Sequence, residues 1–204
     1  MKMKQKKNNS KVESRQISNL RSFLQIFQHF ANSKCERDAL KFIYDNTCFQ
    51  HLNPGDKLHR TSSSYNGSII IVTRGILNAY IDDDQPAQRN IWIGIPNSVF
   101  IQSSQSVPDG ENITIEAVLT SSMMILPYHV MEKSCERYPS ISVIFNQFLY
   151  PKAIKSLNDF TLLQRITRPN LRFGLFIKCF PGLYKLLPIQ LRYAYTGTLE
   201  APEC

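Results

Sequence analysis

The sequence predicts an α+β protein: an antiparallel β-roll, of the jelly-roll or double-stranded β-helix kind, set between N-terminal helices and a long C-terminal helix with a small helical tail. Three observations carry this. Apolar residues fall at helical spacing on both sides of a middle region, at Leu20, Phe23, Leu24, Phe27 and Phe30, and again at Ile141, Ile144, Phe148, Ile154, Leu157, Leu163 and Ile166. In the middle region the period drops to two, as at Leu77, Ala79 and Ile81 or at Ile113, Ile115 and Ala117, the alternation of a half-buried strand. Turn-forming clusters punctuate that region every ~8–12 residues, the spacing of a sandwich or barrel.

The elements follow in order. Residues 1–15 lack apolar periodicity and are expected to form a disordered basic tail. A helix begins near Ile17, capped by Ser18 or Asn19. A second, short helix over 35–45 turns Ala39, Leu40, Ile43 and Tyr44 inward. Asn53-Pro54-Gly55-Asp56 is a turn, followed by strands over 57–60 and 68–73. Arg74-Gly75 interrupts the run, which resumes over 76–81. The three adjacent carboxylates at 82–84 lack the spacing of a calcium loop and read as a hairpin-type turn. Strands over 90–95 and 113–119 follow, and Pro127 closes the strand region. Residues 130–137 read as a helical turn, and Pro139 opens the long helix. Pro151 is expected to kink or split that helix, because it removes a backbone donor and clashes one turn back. Beyond Arg168-Pro169 the chain is helical over 171–180, 183–187 and 189–195. These boundaries give a basic tail (1–15), a roll (16–137), a connecting helix (138–168) and a helical end (169–204).

Composition bounds the function. The 204 residues suffice for one good core and carry a net charge of +8. That charge is uneven: six Lys or Arg against Glu13 over 1–15, ten basic against twelve acidic over 16–149, and eight against three over 150–204. Basic ends on a near-neutral middle suit contact with a polyanion, or else simply a solvated tail and a solvated helical face. The five cysteines are scattered without C-x-x-C spacing, and the histidines are equally dispersed, so neither a disulfide framework nor a metal site is expected. Without a membrane-length apolar run or a secretory leader, the chain reads as cytoplasmic. No nucleophile elbow, P-loop or paired-carboxylate arrangement marks an enzyme.

Specific stretches sharpen the picture: N-P-G-D-K-L at 53–58, S-I-I-I-V-T-R-G-I-L-N-A-Y at 68–80, I-W-I-G-I-P-N-S-V-F at 91–100 and I-E-A-V-L at 115–119, then L-R-F-G-L-F at 171–176 and F-P-G-L-Y-K-L-L-P at 180–188. In this order and spacing they resemble the Crp/Fnr superfamily of transcription regulators, over about residues 17–195, and most of all the group common in Bacteroidetes-type bacteria. The resemblance implies a cyclic-nucleotide-binding-like roll, a dimerisation helix and a helix-turn-helix. It also locates departures. Family members that bind cyclic AMP hold its ribose and phosphate with a Gly-Glu pair and an Arg. The corresponding cassette here runs through Asn97 and Ser98, with Ile101-Gln102 at the Gly-Glu positions and Glu111, beside Asn112, at the Arg position. Losing one charge-assisted contact costs about 1.5–3 kcal/mol, and a carboxylate facing phosphate adds repulsion. No cofactor is therefore expected, and cyclic nucleotide is disfavoured.

Arg74, Arg89 and Trp92 are placed on strands flanking the roll cavity. Trp92 is either core or a stacking platform for an unknown small ligand, and Arg89 either faces the cavity or caps its strand against Asp84. The stripe Ile141, Ile144, Phe148, Ile154 and Leu157 is expected to pair with a second copy, the alternative being packing against the chain's own roll. Past Tyr195 the sequence has no Arg, while Pro202 limits any further helix, so the recognition helix is expected to be missing or degraded. Arg172, Lys185 and Arg192 remain as DNA-facing candidates, suited to weak or nonspecific phosphate contacts. The resulting expectation is a homodimeric Crp/Fnr-like regulator, unresponsive to cyclic AMP and weak on DNA. The alternative is a roll kept as a protein- or small-ligand-binding module that has lost DNA binding.

Overall fold

A computed structural model of the chain describes residues 2–32, 34–61, 67–81, 89–102 and 112–196. Two helices open it, α1 (Lys2–Phe27) and α2 (Lys34–Asp45). Eight strands follow: β1 (Cys48–Leu52), β2 (Lys57–Thr61), β3 (Ser68–Arg74), β4 (Leu77–Ile81), β5 (Arg89–Gly94), β6 (Val99–Gln102), β7 (Asn112–Ala117) and β8 (Ser121–Pro127). The helices α3 (Tyr128–Arg137), α4 (Pro139–Ile144), α5 (Tyr150–Arg165), α6 (Pro169–Cys179) and α7 (Ile189–Thr196) complete it. No helix among the described residues is long and apolar enough to cross a membrane.

The strands form two antiparallel four-stranded sheets, ordered β1-β8-β3-β6 and β2-β7-β4-β5. Their facing sides interdigitate Ile70, Val72, Met123 and Ile125 with Leu77, Ala79, Trp92 and Ile115. The first sheet's outer side carries Ile69, Ile71, Met124 and Leu126 against Phe23, Phe27, Leu40 and Ile43 of α1 and α2 and Ile141 and Ile144 of α4. β3 is thus buried on both faces, which is why it reads as an unbroken apolar run instead of an alternation. Gly75 turns β3 into β4 at φ +85, and a Cβ there would lie 2.3 Å from Ser121 Oγ. Only glycine meets both demands.

The second sheet is also covered. Ile76 and Ile93 pack with Phe160 and Leu163 of α5, Phe176 of α6 and Tyr195 of α7. At the centre of this layer Asn78, on β4, donates from Nδ2 to Asn90 Oδ1 at 2.8 Å and accepts a short hydrogen bond from the Tyr195 hydroxyl. All three interfaces between these four layers are apolar, and this last one carries a buried polar bridge as well.

The backbone of 2–15 is helical, continuous with the predicted helix at Ile17. One expectation is corrected: the long helix is interrupted differently from the prediction. Residues Phe145–Leu149 form one π turn, in which Tyr150 N–H donates to Phe145 O, immediately before Pro151. Widening the helix there accommodates the proline ring without breaking the run. The acidic turn at 82–86 lies outside the described residues.

Tyr195 is fully buried, and burial pushes its phenol well above its ordinary 10.0. The neutral hydroxyl's contribution is therefore fully present below pH 10 and is lost as pH rises beyond it. Tyr195→Phe, which leaves Asn78 Oδ1 unpaired, should lower the unfolding free energy by about 1–3 kcal/mol near neutral pH in urea titrations. It should also flatten the alkaline loss of stability that the parent shows.

Candidate functional site

Three regions hold the residues singled out in the sequence: the roll interior, the outer stripe of the long helix, and the C-terminal helices. In the roll, Trp92 settles into the interior with 1% of its surface exposed, its ring centroid 5.1 Å from that of Phe100. It lies over Gly94, where a Cβ would come within 2.2 Å of the indole. Trp92 is therefore core, and its Nε1–H finds no acceptor among the described residues. The described side chains clustered around it are apolar.

The described cassette residues divide: by strand alternation Gln102 stands on the inward face with Phe100, whereas Ile101 stands on the opposite one. Asn97 sits in a tight turn at φ 70 and donates its backbone N–H to Val72 O at 2.8 Å. Ser98 N–H donates to Ile95 O at 2.8 Å, and Ser98 Oγ accepts from Ile95 N–H at 3.1 Å. The amides of Asn97 and Ser98 are thus consumed by the fold and are not open to an anion. Ile101, paired with Ile69, packs on the helix side of its sheet. Gln102 is buried opposite Ser68. Glu111 lies outside the described residues, and of Arg89 and Asn112 only the strand backbone is described. Arg74 departs from expectation: a bulge between Val72 and Arg74 puts it opposite Ser122, at the cleft beneath α1, away from the roll interior.

The long helix divides the predicted stripe. Ile141 and Ile144 are buried in the chain's own core. Phe148 lies 5.4 Å from the Phe30 ring and 6.3 Å from the Phe27 ring, with Lys152 Nζ 4.1 Å above it. The π turn then rotates the face, and Tyr150, Ile154 and Leu157 stand outside, 49%, 38% and 47% exposed. At i, i+4 and i+7 they share one face.

In the C-terminal unit, two of the three DNA-facing candidates serve the fold. Arg172 Nε donates to Ile166 O at 2.7 Å, closing the end of α5. Arg192 Nε donates to Leu187 O at 2.8 Å and Nη2 to Lys185 O at 3.2 Å, with the guanidinium 5.1 Å above the Tyr184 ring. Lys185 itself is exposed. Sequence reasoning missed Asn78 and Asn90, whose polar side chains on a strand's outer face look like ordinary surface until a partner covers them.

No protein-family model matches this sequence, and no curated protein matches it. Solved structures do. The fold is similar to that of FixK2 from Bradyrhizobium japonicum, at TM-score 0.57 and 13% identity, covering 75% of this chain and 79% of that one. It is also similar to a transcriptional regulator of the Crp/Fnr family from Eubacterium rectale, at TM-score 0.51 and 16% identity, over 69% of this chain and 66% of that one. The fold is that of the Crp/Fnr regulators.

Packing around the indole gives a test. Gly94→Ala should force the Trp92 ring aside and lower stability by about 1–3 kcal/mol. Because Trp92 is the single tryptophan, its fluorescence should report the rearrangement directly in the same urea titration.

Proposed function

We propose that this chain is a homodimeric transcription regulator of the Crp/Fnr type, working in the cytoplasm, that does not respond to cyclic AMP and grips DNA only weakly. The observation that carries the reading is the filled roll. Where a cyclic nucleotide would need a cation, the described interior side chains are an indole, a phenyl ring, aliphatic chains and the neutral Gln102 and Ser68. An anion transferred there would lose its hydration and gain no compensating charge.

Dimerisation through α5 is supported by the exposed face of Tyr150, Ile154 and Leu157, which the chain's own core leaves uncovered. Weak DNA contact is supported by the use of Arg172 and Arg192 in backbone capping. The roles of the cassette positions, including Glu111 as a repulsive acid, belong to the same proposal.

A second reading is favoured by the burial of Tyr195 on the roll. There the C-terminal unit acts as a fixed cover, and the molecule is an interaction module that has lost DNA binding.

Three measurements test these readings. In sedimentation velocity the parent should run as a dimer and Leu157→Glu as a monomer that keeps the parent's circular dichroism spectrum, since the residue is solvent-facing within one subunit, with a melting temperature lowered by the lost association. A monomeric parent removes the dimer. Cyclic AMP should leave the melting temperature unchanged, because only a ligand of the folded state raises it; a saturable rise overturns the proposal. In DNA titrations, binding that falls steeply with salt and shows no preferred sequence supports weak electrostatic contact. No binding at low salt favours the interaction module.

A further inference from the structure

A polar cleft of about 370 Å³ lies between α1 and one end of the first sheet, a volume typical of small-molecule sites. Two rows of side chains converge on it. Arg15, Ser18, Asn19 and Ser22 line it from α1, and their i, i+3, i+4, i+7 spacing places them on one face of the helix. Phe23 and Phe27 of the same helix turn into the core.

The opposite wall is a cross-strand row. Ser122 of β8 is paired with His51 of β1 on one side and with Arg74 of β3 on the other. Neighbouring strands lie about 4.8 Å apart, so the three side chains stand abreast. The bulge is what admits Arg74: the extra residue, Thr73, breaks the alternation that would aim Arg74 toward the roll interior. Thr73 Oγ1 fixes the bulge by donating to Ser122 O at 3.0 Å. His51 Nδ1 lies 2.8 Å from Ser122 Oγ, which leaves Nε2 as a further polar atom on this wall.

The charge in the cleft is one-sided. Arg15 and Arg74 enter it from the two walls, no carboxylate is among the described residues that line it, and neither guanidinium has an acidic partner among the described residues. We propose that this cleft binds the phosphate group of a small phosphorylated metabolite, gripped by Arg15 and Arg74 with the row at Ser122 and His51 completing the donors. Two guanidinium forks on opposing walls approach an anion from different sides, which suits the three free oxygens of a phosphate monoester, pointing in different directions, better than the coplanar oxygens of a carboxylate. Phe49, Leu52 and Met123 supply apolar wall for a short carbon skeleton. The inference does not rest on the regulator reading, since the cleft is separate from the roll interior and from α5.

The test is isothermal titration of the full chain with inorganic phosphate and with glycerol phosphate, against sodium chloride at matched ionic strength. Saturable binding is expected, weakened about tenfold or more in Arg15→Gln and in Arg74→Gln and unchanged in Lys178→Gln, a basic residue remote from the cleft. Arg74→Lys should retain part of the affinity. Both arginines are exposed, so melting temperatures without ligand should match the parent and show that loss of binding is not loss of fold. Tighter binding of the ester identifies a phosphorylated metabolite, and equal or tighter binding of inorganic phosphate identifies free phosphate as the ligand. Absence of saturable binding beyond chloride overturns the proposal. So does parental affinity in both arginine variants, or equal weakening in the Lys178 control.

Discussion

The side chain of Asn78 ties the roll to the C-terminal helices through polar atoms. It stands on the outer face of a strand whose other face fills the roll, and it is buried only because α7 lies over it. A primary amide taken out of water costs several kcal/mol unless both its ends are paired. Here Asn90 takes the N–H and the Tyr195 hydroxyl supplies the other hydrogen bond. The pairing works with α7 in one position and no other. Apolar surface around Phe160, Leu163 and Phe176 provides affinity between the layers, and the amide selects the geometry. The placement of α5, and with it the outward face of Tyr150, Ile154 and Leu157, follows from that lock.

Viewed from this lock, the roll and the C-terminal helices form one packed body in the described chain. That arrangement bears on both functional readings. A regulator needs its C-terminal unit to meet DNA, and an interaction module needs it to stay in place. The same three side chains add to what holds it in place, by a net of about 0.5–1.5 kcal/mol per hydrogen bond, because water takes over these bonds when the layers separate.

Much of the fold was legible. The helices around Phe23 and Ile43 and the strands around Leu77 and Ile115 announced themselves because each has one wet face, so its period survives in the sequence. β1 (Cys48–Leu52) did not, because C-F-Q-H-L offers only two strongly apolar residues. At the candidate sites the limits were different. Trp92 was open between core and platform until Gly94 was seen beneath it. Arg172 and Arg192 looked like phosphate ligands because a sequence shows a cation but not the carbonyl it caps. Arg74 was assigned to the wrong side of its sheet, since a single bulged residue inverts every inference from alternation.

The π turn at 145–149 works as a phase shifter. Upstream of it the long helix spends its apolar residues on its own subunit, at Ile141 and Ile144. Downstream the aliphatic row at Ile154 and Leu157 is delivered to solvent instead. One surplus residue accounts for the change, because each residue advances an α-helix by about 100°. Removing that residue would turn α5 by about 100° against its own core, carrying Ile154 and Leu157 off the outward face and Phe160 and Leu163 off the inward one.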